Sequence, residues 1–426
     1  MPNILFSPSY GGGGSPQAMI PTLIYADRYR NEGTCSYSRY ADHTQARDQY
    51  RPDAGHTGFA LPVFELPREQ MQLYVANPSP ALLQQYLSEN RVRFCLHPQV
   101  LQERSADPYV SHTLAAGTRC RDLAVVPSSS SRTLYVQQHG PAHALKVHFP
   151  FQVSRYERKM RDEVIEQAVN VSRELEQGIE QMDGQFAFLR EVLGVVHRSL
   201  GNEQGWGENW GYLVREMTPF PEGTGNGSLL PGFALYGNDF FHPDMPPLLF
   251  ELIGTRDPLS FVLEQIMFPV IRHWVQAFRQ FGYLLEPHGQ NVLLEINQDG
   301  NIARIVHRDL SVGIDMRRRR DLGLVDGRLN AYNRMESNEF HSITYDKFMG
   351  SHFFDRIVAL CTGRYPSLAR ADFTGPCREE FARCFPEHEH YLPPTVWYFS
   401  ELRDSFNKPL YQDTGARPEW RPGRCS

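Results

Sequence analysis

The 426-residue sequence has no C-x-x-C pair and no excess of basic side chains. It also has no apolar run approaching the ~18 residues that span a bilayer. Its seven cysteines (Cys35, Cys95, Cys120, Cys361, Cys377, Cys384, Cys425) are odd in number and scattered. Neither a disulfide framework nor structural zinc is expected, and the thiols are read as reduced. Lys and Arg number 43 against 49 Asp and Glu, a net charge of −6. That balance excludes nucleic-acid binding as the main task, because a phosphate backbone needs a basic face. The opening MPNILFSPSYGGGG has no basic stretch before its short apolar run, so a secretion signal is not expected and the reading is a soluble, cytoplasmic protein. Gly11 to Gly14 are not followed by Lys-Ser or Lys-Thr, so this run is read as a turn rather than a phosphate loop.

What remains is ordinary globular composition, 41% hydrophobic and 22% charged, in a chain long enough to bury a core without staples. Ser79-Pro80 before ALLQQYLSEN predicts a helix capped by Ser79. RVRFCLHP predicts a short strand ending at His97. Asp122 to Phe151 alternates as β structure around polar turns. If its hairpin register sum is even, Arg132, Lys146 and His148 share one face. Met160, Val164, Ala168, Val171 and Leu175 recur at helical spacing, and a second helix is expected over Gln185 to Leu200. Phe261 to Phe281 predicts a helix kinked at Pro269, with Trp274, Phe278 and Phe281 in the core. Asp299-Gly300 between VLLEI and IARIV predicts a hairpin. Tyr345 to Leu360 is read as helical, and Arg317 to Arg320 as a solvated basic turn balanced by Asp315 and Asp321. The expected fold is α+β: mixed α/β lobes with antiparallel sheets flanked by helices. Three regions are expected: residues 1–95 as a divergent or shortened N-terminal region, a central lobe 96–205 and a C-terminal lobe 206–426.

Two constellations carry chemistry. Glu286, His288, Gln290, Asn291 and Asp309 gather at the two ends of the predicted 292–307 hairpin. Carboxylate and amide oxygens are the ligands Mg²⁺ prefers, and a histidine donates to phosphoryl oxygen. Five polar groups beside apolar strands are costly unless they satisfy a ligand or one another. The second set is Ser130, Arg132 and Thr133, then Lys146, Ser154 and Arg158: guanidinium forks, a point charge and neutral donors, the set that binds phosphate or carboxylate. His307-Arg308-Asp309-Leu310 imitates a protein-kinase catalytic loop, but Ile314 stands where the kinase Asn belongs, so that reading fails.

In order along the chain, PSSSSRT, LKVHFPFQVSRYERKM, EPHGQN and IVHRDL resemble the nucleotide-site motifs of the IucA/IucC family, the synthetases that assemble siderophores independently of nonribosomal peptide synthetases. The resemblance runs from about Pro62 to Trp420. His97-Pro98-Gln99 resembles the family's His-Pro-Trp-Gln element without its Trp. No counterpart of the family's N-terminal His-Pro-x-His-Pro element is found in residues 1–90, and family members are usually longer. The resemblance implies a kinase-like nucleotide cleft between lobes. ATP and Mg²⁺ are then expected, with a small carboxylate (citrate-like) adenylated and passed to an amine or alcohol, and a homodimer is possible. It implies that Ser130, Arg132, Thr133, Lys146, Ser154, Arg158, His288, Gln290, Asn291 and Arg308 bind the nucleotide. Of these, Lys146, Arg158 and His288 act in catalysis, while Glu286, Asn291 and Asp309 serve the metal. An aminoglycoside-kinase-like phosphotransferase and a catalytically impaired nucleotide-binding partner subunit are the alternatives.

Overall fold

The computed structural model describes residues 19–30, 44–52, 58–137, 140–153, 156–198, 200, 209–223, 227–324, 333–403 and 409–423. Ten strands make one mixed sheet: β1 (Phe59–Leu61), β2 (Met71–Val75), β3 (Leu123–Pro127), β4 (Thr133–Val136), β5 (His143–Val147), β6 (Phe186–His197), β7 (Gly211–Phe220), β8 (Ser228–Pro231), β9 (Val292–Ile296) and β10 (Ile302–His307). Their order across it is β1-β3-β4-β5-β7-β6-β10-β9-β8, with β2 alongside the second half of β6. The fold is therefore mixed α/β with antiparallel pairing dominant, as expected.

Strand β6 organises the sheet. One edge pairs antiparallel with β7; the other takes β2 at Leu193–His197 and, in parallel, β10 at Phe186–Phe188. The sequence pattern had predicted a helix here, and that expectation is corrected. FAFLREVLGVVH is buried on both faces, and a strand of that kind shows no period-2 alternation to separate it from a buried helix. Its aromatic and β-branched content favours the strand.

The other expectations largely hold. Ser79 caps Pro80–Tyr86 through its side chain, and Val292–Ile296 and Ile302–His307 pair as the predicted hairpin. Helix α2 (Asp162–Gln177) buries its whole apolar stripe on β6. Their approach is so close at Gly194 that any Cβ there would collide with Ile165. Helix α3 (Phe268–Phe281) follows a π-helical turn over Leu263–Met267, and Pro269 sits in its first turn rather than inside it, where a proline is tolerated. Trp274, Phe278 and Phe281 are core residues. The opposite sheet face is covered by helix α1 (Met19–Tyr29), whose Leu23 packs with Val126, Leu229 and Leu293. The basic run is a second correction. Met316–Asp321 is a short helix, α4, in which Arg319 is buried and paired with Glu174 at 3.0 Å. A carboxylate 145 residues away and the Phe281 carbonyl, at 2.9 Å, make that burial tolerable.

His97 and His197 are buried rings whose pKa burial pushes down to about 3. An unfolded chain protonates them near ~6.5, so the stability they contribute is complete above that pH and is lost as pH falls toward 3. Each is expected to cost about 1.4 kcal/mol per pH unit in that window. The urea midpoint is expected to fall steadily between pH 7 and pH 5; a flat profile would show that the rings are not neutral in the folded protein.

Candidate active site

The β3–β4 turn is held by its own serines. Ser130 N donates to Ser128 Oγ and Thr133 N to Ser130 Oγ, both at 3.2 Å, while Ser131 takes a positive φ of 60°. The β4–β5 register pairs Thr133 with Lys146, so the register sum is odd. Thr133, not Arg132, stands opposite Lys146. Arg132 reaches the cleft differently: it precedes β4, and its guanidinium bonds the Arg158 carbonyl at 3.2 Å. His148 is not in the cleft lining; its ring stacks on Trp210 at 3.9 Å and accepts a hydrogen bond from Met160 N.

Lys146 is buried, and its Nζ donates to Asp309 Oδ1 at 2.6 Å. Burial pulls the lysine pKa down and Asp309 opposes it. Burial likewise pushes the Asp309 carboxyl up, but Lys146, Arg215 and Arg132 outweigh it and hold the group well below the carboxylate range. Asp309 itself has a left-handed backbone, φ 72°, a conformation that costs energy in a non-glycine residue and clusters at functional sites.

The other carboxylate is Glu286. Burial, and then the charge of Asp309, push its pKa up to about 8 against the pull of Lys146 and Arg158. His288 is pushed down to about 4, chiefly by burial. Its Nδ1 accepts from Gln290 N at 3.2 Å and its ring meets Phe348 edge-on. Gly289 packs so tightly that a Cβ would run into the Tyr236 hydroxyl and the Phe233 backbone, which keeps this loop in one shape.

One cleft is lined by Ser128, Ser129, Ser130, Arg132, Thr133, Lys146, Val153, Arg158, Arg215, Gln290, Asn291, Arg308 and Asp309. Eight of the nucleotide-site expectations thus meet in one place: Ser130, Arg132, Thr133, Lys146, Arg158, Gln290, Asn291 and Arg308. His288 and Glu286 lie outside the lining, within electrostatic reach of Asp309. Ser154 falls outside the described residues. Among the described residues no three His, Cys, Asp or Glu side chains converge as a metal cage. Mg²⁺ does not need one, since it is usually held by one or two carboxylates and substrate phosphates. Glu286, whose carboxyl is raised partly by its acidic neighbour, together with Asp309 and the Asn291 amide, is a donor set that a divalent cation would relieve.

Three charged residues in or under the cleft were missed. Arg215 on β7 pairs with Glu191 on β6 (Nε–Oε1 3.1 Å), and Glu191 Oε2 accepts from Leu310 N. An Arg-Glu pair inside a mainly apolar run was the available signal for both. The third is Asp27 on α1, fully buried, which accepts from Arg308 Nη2 at 2.8 Å and from the Tyr135 hydroxyl at 2.8 Å. The Arg308 guanidinium, with Nε also bonded to the Gln290 carbonyl, is thereby engaged on several sides.

Residues 35–236, the segment that carries the serine turn, Lys146 and Arg158, match the model of the IucA / IucC family. This segment belongs to that family. A likeness of fold extends over more of the chain. Petrobactin biosynthesis protein AsbB from Bacillus anthracis str. Sterne superposes with a TM-score of 0.67 at 14% identity, over 86% of this chain and 68% of that one. ATP-bound aerobactin synthetase IucA from a hypervirulent pathotype of Klebsiella pneumoniae gives 0.65 at 14% identity, over 88% and 73%. Aerobactin synthetase IucC from the same source gives 0.63 at 14% identity, over 81% and 65%. The chain thus shares the fold of these proteins while spanning about two thirds to three quarters of their length. No curated protein sequence matches it. No helix among the described residues is long and apolar enough to cross a membrane.

Proposed function

We propose that the chain is an ATP-dependent synthetase that adenylates a small carboxylate and joins it to an amine or alcohol in siderophore assembly. The observation that carries this reading is the meeting of Lys146 and Asp309 at 2.6 Å. It joins the cationic strand cluster of the family-matched segment to the acidic corner of the Val292–His307 hairpin. The kinship of residues 35–236 and the fold shared with two aerobactin synthetases support it.

In this reading a substrate carboxylate oxygen attacks the α-phosphorus of ATP and pyrophosphate departs. The amine or alcohol then attacks the acyl carbonyl and AMP departs. Charge grows on the α-phosphate and the leaving pyrophosphate, where fixed cations lower the barrier most. Arg132, Lys146 and Arg158 are assigned to that charge, with Ser130 and Thr133 as neutral donors and Gln290 and Asn291 on the opposite wall. His288 is held neutral by burial and is assigned a hydrogen-bonding rather than a cationic role. Mg²⁺, held by Glu286, Asn291 and Asp309, would neutralise triphosphate charge when bound.

The test is an incubation with ATP, Mg²⁺, hydroxylamine and a panel of di- and tricarboxylates. AMP, pyrophosphate and a hydroxamate are expected with at least one acid. ADP as the only nucleotide product would replace the ligase with a phosphotransferase.

A further inference from the structure

Helix α1 lies outside the family-matched segment, which begins at residue 35. Yet it supplies a carboxylate to the wall of the cleft. We propose that Asp27 is a positioning residue that locks the two motif-bearing walls of the nucleotide cleft together, an inference that rests on the nucleotide-binding part of the proposed function.

The bonds converge on one buried group. Asp27 Oδ1 accepts from Ser129 Oγ at 3.0 Å and from Arg308 Nη2 at 2.8 Å; Oδ2 accepts from the Tyr135 hydroxyl at 2.8 Å. Ser129 in turn accepts from Gln290 Nε2 at 3.1 Å, and Arg308 Nε donates to the Gln290 carbonyl at 2.7 Å. A closed ring thus runs Asp27–Ser129–Gln290–Arg308–Asp27. Three of its members line the cleft: Ser129 from the serine turn, Gln290 from the loop before β9, and Arg308 after β10. Without the carboxylate, Arg308 is a buried cation without its counter-charge, and the serine turn loses its tie to the opposite wall. Both walls then need to reorder around the triphosphate, a cost paid on binding.

The docking of α1 does not depend on this residue. Leu23 is in the core, Arg30 pairs with Asp239 at 3.2 Å, and the Tyr25 hydroxyl donates to the same carboxylate at 2.9 Å. Asp27→Asn removes the charge and keeps the shape, so the helix is expected to stay in place.

The experiment measures KM and kcat for ATP, from nucleotide consumed whatever the product, together with calorimetric Kd for ATP with Mg²⁺. Asp27→Asn, Ser129→Ala and the double variant are compared with wild type. KM and Kd are expected to rise about 10–100-fold in Asp27→Asn, the scale of one charge-assisted contact, with kcat changed much less. The double variant is expected to match the more impaired single one, because both break the same ring. Tyr25→Phe serves as control: a lower Tm with KM unchanged. Asp27→Asn with a lower Tm but wild-type KM and Kd would overturn the proposal, as would additive effects in the double variant or a wild type that binds no ATP. ADP as product would overturn the ligase reading alone and leave Asp27 in its role.

Discussion

Lys146→Met is expected to lower ATP turnover about 10²–10³-fold, the scale of removing one fixed donor from a developing charge. Two effects add in this variant. The cleft loses a buried point charge, and Asp309 loses the ammonium that holds its carboxyl ionised. Stability is expected to drop as well. The Asp309 side chain is 34% exposed, so water screens part of the loss and the cost is set at about 1–3 kcal/mol, below that of a fully buried broken pair. Lys146→Arg is expected to restore only part of the activity, because a planar guanidinium does not fit a slot built for a compact ammonium. Activity and urea midpoint measured on the same samples check this. Turnover within threefold of wild type would remove Lys146 from the chemistry.

Arg158→Ala is expected to lose about 10²–10³-fold in adenylation with far less effect on stability. Its Nε donates to the Val153 carbonyl at 3.0 Å and its side chain lines the cleft. The Arg158 carbonyl that holds Arg132 survives the substitution, so the variant isolates one side chain. Arg158→Lys is expected to recover charge but not the two-pronged geometry suited to phosphate. The readout is kcat/KM for AMP formation, and an unchanged value would show that Arg158 does not act on the phosphates.

The parts of this molecule legible in its sequence are those that local chemistry decides. Asp299-Gly300 turns a hairpin whatever surrounds it, Ser79-Pro80 starts a helix, and the stripe from Val164 to Leu175 buries one helix face. Eight cleft residues were legible because their types and spacings resemble a family pattern. What was missed depends on partners distant in sequence. The burial pattern of Phe186–His197 does not separate a strand from a buried helix until its sheet neighbours are known. Whether Arg132 shares a strand face with Lys146 and His148 depended on a one-residue choice of register between β4 and β5. Glu191, Arg215 and Arg319 are buried charges, each made tolerable by a partner between 24 and 145 residues away. Asp27 sits in a stretch without evident periodicity, and its meaning comes from Arg308, 281 positions later.

Strand β6 has one further consequence. Its two ends are claimed by different halves of the chain, β2 at one and β10 at the other. A cut near residue 205 would strip hydrogen-bonding neighbours from both sides and leave two sticky, aggregation-prone borders. The fragments are therefore not interchangeable modules. A split-protein reporter cut there should reassemble only when both pieces are made together.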